Sequence, residues 1–173
     1  MTSLKIVVAV AALCASFGAL ATGVLIPVNF SGATDASGHL VAEAYKEQST
    51  CVIWSLPAAI IPAMPYEIYT NGFQTPTGGI SVLIPTLSIS QQTGWRMPTL
   101  NEALALYSSL SDIRRGTVAT PAGFVEPARG PFWTANVNGA QAAAIDTRTG
   151  YTQWYSRTFT AVRTWAVMTA DCR

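Results

Sequence analysis

Apolar and polar positions follow three patterns along this chain, and each predicts a different kind of element. Over residues 99–110, Leu100, Leu104, Tyr107 and Leu110 recur at helical spacing and predict one helix with an apolar stripe. Thr99 stands at its N-cap and Glu102 at the third helical position, the pairing that closes a capping box. Over residues 51–89 the apolar runs are broken by five prolines from Pro57 to Pro85 and by Gly72, Gly78 and Gly79. Long helices cannot survive that punctuation. Short strands and turns can, and residues 67–69 and 80–84 are the strongest strand candidates. Ahead of them, residues 31–38 read as a polar turn and residues 39–48 as a short helix or strand.

Residues 111–131 hold Gly116, Pro121, Gly123, Pro127, Gly130 and Pro131. That is a loop long enough to be functional or pinned by other segments. Three strand-like pieces follow, at 132–136, 142–146 and 160–169. The last two are joined by the turn at residues 147–150 and an aromatic stretch from Tyr151 to Phe159.

The third pattern is an uninterrupted apolar run at the start. Lys5 is followed by residues 6–21 without a charge, ending in Ala19-Leu20-Ala21. A positive start, an apolar run and a small-x-small terminus predict a signal peptide over residues 1–21, cleaved before Thr22. The run is shorter than the roughly 20 residues of a membrane span. Val24-Leu25-Ile26 leaves an uncleaved anchor as the alternative, the only route by which a membrane becomes a partner. Leu13 before Cys14 is unlike a lipobox, so a lipoprotein is not expected.

Export changes how the charges and cysteines read. Losing Lys5 from the ten basic residues leaves nine against nine acidic ones. A neutral chain has no footprint for nucleic acid or an anionic membrane. Only Lys46 among the remaining basic residues is lysine, and the arginines suit forked structural ion pairs. Residues 22–173 are enough for one domain with a real core. Cys51 and Cys172 remain; in an oxidising compartment they are expected to bridge, with two buried thiols as the alternative. The bridge would close a loop of roughly 120 residues, an effect of at most about 5 kcal/mol.

Residues 94–104, GWRMPTLNEAL, resemble the signature of the Lcl-type C-terminal domain family of bacterial surface and secreted proteins. Trp95, Arg96, Pro98, Thr99 and Glu102 match its pattern, with Met97 in place of the usual leucine. FWTAN at 132–136, AAAIDTRTG at 142–150 and AVRTWAV at 161–167 resemble further stretches of that family, in the same order. The resemblance covers residues 94–173 and implies an α+β, C-type-lectin-like fold, with nearby termini and a long loop leaving a small antiparallel sheet. Residues 24–93 form a β-rich part that the resemblance does not reach. Trp95 and Arg96 read as builders of this fold, with Arg96 placed to pair with Glu102.

Reaction chemistry is sparse. His39 is the only histidine, and no cluster of His, Cys, Asp and Glu has metal-ligand spacing. Neither a metal nor any other cofactor is expected. A nucleophile would need a base, and His39 sits in a polar stretch without an evident partner. Formylglycine-generating enzymes share a similar motif but use a late cysteine pair, where this chain has Cys172 alone. Glu126-Pro127-Ala128 departs from the calcium-lectin loop because Ala128 offers no side-chain ligand. No enzymatic activity is expected.

What remains is Tyr151, Trp154, Tyr155 and Arg157, the residue types that sugar stacking and protein hot spots both use. Strand alternation puts Trp154 on one face and Tyr155 with Arg157 on the other, so one face is core. The candidate ligand surface is whichever of Trp154 and Tyr155 stays exposed, together with Arg157 and Asn136 or Asn138, beside the long loop. The expected function is a non-catalytic binding module, secreted, periplasmic or on the bacterial surface, engaging glycan or a surface protein, as in adhesion. The alternative is a structural subunit of an extracellular appendage or envelope complex, with residues 24–93 as its assembly surface.

Overall fold

A computed structural model describes residues 24–70, 75–121, 124–126 and 130–170. The expected signal peptide, its cleavage point and Cys172 lie outside the described residues. The fold is α+β, with two antiparallel sheets rather than the single small sheet expected. The first has the order β1 (Leu25–Val28), β2 (Ala44–Glu47), β3 (Val52–Ser55), β7 (Val167–Thr169). The second has the order β4 (Pro131–Asn138), β5 (Gln141–Asp146), β6 (Thr152–Ser156). Strands from both ends of the chain thus share one sheet, and residues 24–55 are part of the framework that holds the closing strand. No helix among the described residues is long and apolar enough to cross a membrane.

The predicted helix is α2 (Leu100–Arg115), five residues longer than expected because it runs on to Gly116, whose φ of 71° closes it. Its capping box is complete: the Glu102 N–H donates to the Thr99 hydroxyl at 3.3 Å, and the Thr99 N–H donates to the Glu102 carboxylate at 2.7 Å. The buried stripe differs from the predicted one. Ala103, Leu106 and Leu110 face the core, while Leu104 is exposed. The reason is that α2 packs on β4 and β5 through Ala103, Leu106 and Leu110, a rotation that sequence spacing alone leaves open. Leu106 and Leu110, fully buried, each contribute about 2 kcal/mol.

Residues 80–84 are helical rather than a strand: α1 (Ile80–Leu83) continues into a 3₁₀ turn over Ile84–Thr86. Ile80 and Ile84 are buried one helical turn apart, whereas Val82, inward in a strand, is exposed. Gly79 sets the entry: its φ is 91°, and a Cβ there would lie 2.7 Å from the Tyr66 carbonyl oxygen. Residues 67–69 are likewise not a strand; Ile68 makes only an isolated bridge to Gly78. The expected strand at 160–169 is regular only in β7. Before it, Arg163 bridges Phe132 and Thr164 bridges Ile61, so the segment spans between the two sheets.

Two apolar clusters hold these layers together. One gathers Ala44, Ile53, Tyr66, Ile80, Ile84, Trp95, Trp133, Ala142 and Ala144. The other places α2 through Ala103, Leu106 and Leu110 against Tyr45, Trp54, Phe132, Ile145 and Trp165. β5 is therefore buried on both faces, and its alanines let the two clusters approach closely. The signature motif joins the parts: Trp95 is buried, and Arg96 exchanges backbone hydrogen bonds with Val167 at 2.7 and 2.9 Å. Its guanidinium makes the expected fork to Glu102 at 2.9 and 2.7 Å and also reaches Thr169 at 3.1 Å.

Candidate functional site

The β4–β5 hairpin, the end of β6 and Tyr69 enclose a cleft of about 440 Å³, lined by Tyr69, Gly139, Ala140, Ser156, Arg157 and Thr158. That volume lies within the range of small-molecule sites. One wall is the two-residue turn Gly139–Ala140 between the paired Asn138 and Gln141. Gly139 has a φ of 54°, a conformation that favours glycine. The other wall is the chain leaving β6, where the Ser156 and Thr158 hydroxyls lie 3.0 Å apart.

Arg157 ties the cleft together. Its N–H donates to the Ala140 carbonyl at 3.0 Å, and its own carbonyl accepts from the Glu67 N–H at 3.1 Å. Its Nη1 donates to Glu67 Oε2 at 2.9 Å, and the Tyr69 hydroxyl donates to the same oxygen. Glu67 is buried. Its hydrogen bond holds the Arg157 proton more firmly than usual, against the opposing effect of burial. The same carboxylate pushes the Tyr69 phenol up. Removing one partner from so shielded a pair costs about 3–5 kcal/mol.

The other predicted site residues divide between the two faces of β6. Tyr155 lies on the inner face, edge-on to Trp133 at 6.0 Å and stacked on Phe159 at 4.8 Å. Trp154 pairs with Ala143, which puts it on the face shared with Ile145, toward α2. It is 40% exposed, whereas Trp54, Trp95, Trp133 and Trp165 are all buried. Trp154 is thus the exposed aromatic of the pair, but it does not line the cleft. Asn138 is exposed at the hairpin beside Gly139. Asn136 serves the fold, its Oδ1 accepting from the Leu100 N–H at 2.7 Å at the start of α2.

The long loop was expected beside the candidate surface at Tyr151–Arg157, but its described contacts lie elsewhere. Glu126 pairs with Arg114 at 2.6 Å, and Phe124 packs edge-on against Tyr45 at 5.2 Å. Arg114 also donates to the Thr147 and Arg148 carbonyls. The described loop residues therefore dock at the C-terminal end of α2, where the arginine fork and an aromatic partner are both available. Among the described residues no group of three His, Cys, Asp or Glu is placed to hold a metal. His39 is exposed, 3.8 Å from Asp35, and does not line the cleft.

No family model, curated protein or solved structure matches the chain.

Glu67, Tyr69, Ser156, Thr158 and the Gly139–Ala140 turn are the site residues that sequence reasoning missed. Asn138-Gly139 between two apolar runs was a usable hairpin signal. The Glu67–Arg157 pair had none, because its partners are ninety positions apart.

Proposed function

We propose that this protein is an exported, non-catalytic binding module of the bacterial surface or periplasm, and that it takes glycan in the cleft beside Arg157. The observation that carries this reading is the cleft itself. It is preformed by a hairpin turn and an ion pair, and the hydroxyl residues Ser156 and Thr158 line it. Such a set of fixed hydroxyls and backbone groups orients a hydroxyl-rich ligand. The test is to titrate the secreted protein with neutral oligosaccharides and follow backbone amide shifts. Saturable shifts at residues 138–140 and 156–158 are expected; no shift at millimolar ligand overturns glycan binding.

The proposed family is the Lcl-type C-terminal domain family, with a C-type-lectin-like arrangement of residues 94–173. In support, the four stretches that carry the resemblance pack on one another. Arg96 pairs with Val167, the Trp133 N–H donates to the Arg163 carbonyl at 2.8 Å, and α2 lies against β4 and β5.

One observation favours the assembly reading. Ile68, Val82 and Leu83 are exposed around an apolar groove of about 370 Å³ that also includes Met64 and Thr86. It lies wholly within residues 24–93. Val82→Asp should release the protein from a co-purifying complex if this groove is an assembly surface, and change nothing otherwise.

A further inference from the structure

The charges around the cleft decide which glycans suit it. Among the described residues Arg157 is the only charged one that lines the space. Its guanidinium already faces the buried Glu67 carboxylate at 2.9 Å, so the wall carries no net charge. The Tyr69 hydroxyl spends its proton on the same carboxylate and has no second donor to give. Arg157 Nε is buried without a hydrogen-bond partner, and no described contact turns it toward the space. An incoming carboxylate or sulfate would meet a guanidinium whose charge is already paired with Glu67, and would stand close to that carboxylate, where like charges repel across a shielded region. A neutral sugar meets none of this cost, and its hydroxyls match the hydrogen-bonded Ser156–Thr158 pair, which keeps one proton to donate and lone pairs to accept.

Resting on the cleft reading above, we propose that the site selects uncharged oligosaccharides and rejects acidic ones, with Glu67 setting the selectivity by occupying Arg157. Glu67 is a positioning residue here: it touches Arg157 and Tyr69 and reaches the ligand through them. The selectivity is therefore a property of the pair, and cancelling one charge should reveal the other.

The experiment is calorimetric titration of the secreted protein with maltotetraose, cellotetraose and chitotetraose, against tetragalacturonate and sialyllactose. At least one neutral probe should bind about tenfold or more tightly than either acidic probe, since a charge-assisted contact is worth that factor or more. Raising the salt should leave neutral binding unchanged. Ala140→Trp, at the exposed rim, should abolish it with the melting temperature retained. Glu67→Gln should raise the affinity for tetragalacturonate about tenfold by freeing the guanidinium, and Glu67→Gln with Arg157→Gln should remove that gain.

The outcomes separate the two claims. If no probe binds the wild-type protein, the glycan reading fails and takes this inference with it. If acidic probes bind as well as neutral ones, selectivity alone is overturned and the glycan reading stands. Neutral binding untouched by Ala140→Trp, or a folded Glu67→Gln without the acidic gain, also overturns the proposal. Should Glu67→Gln not fold, the wild-type ranking and its salt dependence still decide.

Discussion

Glu47 is a fully buried carboxylate that holds together a turn and a helix. It ends β2, has no exposed surface, and accepts from the Ser49 and Thr50 hydroxyls at 2.7 Å each and from their N–H groups at 3.2 and 2.8 Å. The Ser109 hydroxyl of α2 adds a fifth bond at 3.2 Å. Glu47→Ala would leave these donors unsatisfied around a new void. Breaking a buried charged network of this kind costs about 3–5 kcal/mol. For a domain of this size that is a fall of about 10 °C in Tm. Ser109→Ala removes only one bond and should cost about 1 kcal/mol. Burial opposes ionisation of Glu47, but the bonds from Thr50 and Ser49 outweigh it and hold the carboxyl below the usual range. A depressed folded-state pKa contributes stability that is complete above the ordinary carboxylate range and lost as pH falls through the folded value. The gap between wild type and Glu47→Gln should therefore be constant from neutral pH to about pH 5 and close at lower pH. Thermal melts of both proteins at a series of pH values measure it. A Glu47→Ala protein within about 2 °C of wild type, or a gap that persists unchanged at pH 3, would refute the reasoning.

Other outcomes follow from the same structure. Trp154→Ala should leave Tm nearly unchanged, while Tyr155→Ala, which strips a ring from between Trp133 and Phe159, should cost about 3 kcal/mol in a denaturant titration. Arg96→Ala should cost about 2–3 kcal/mol and Thr99→Ala about 1 kcal/mol, and equal losses would show that the fork to Glu102 adds nothing beyond the cap. We propose that Cys51 pairs with Cys172, because the Ala170 N–H donates to the Cys51 carbonyl at 3.1 Å, two residues before Cys172 in sequence. A non-reducing peptide map of exported protein should find that bridge, and N-terminal sequencing of the same sample should begin at Thr22; two alkylatable thiols or an intact Met1 would count against each in turn.

Local chemistry made much of the second half of the chain legible from sequence. The capping box at Thr99 and Glu102 needs only residues three apart, and the Arg96 fork only six, so both could be read directly. The strands at 132–136 and 142–146 were visible for the same reason. Residues 80–84 were misread because a short apolar run suits a strand or a helix equally, and the choice fell to Gly79, whose backbone lies too close to Tyr66 for a side chain. The exposure of Trp154 rather than Tyr155 was left open by alternation, which separates two faces without saying which is core. Trp133 decided it by packing against Tyr155.

The sequence by itself determined the helix and its cap, the strand periods after residue 131, and the residue types available at the end of β6. Only the tertiary structure decided that residues 24–55 share a sheet with the closing strand, that Arg157 is taken by Glu67, and that a hairpin turn completes the cleft. The physical reason is range: caps, turns and periodicity are fixed by neighbours within a few residues. A buried ion pair or a shared sheet depends on which distant surfaces meet, and that follows from burying two apolar clusters at once.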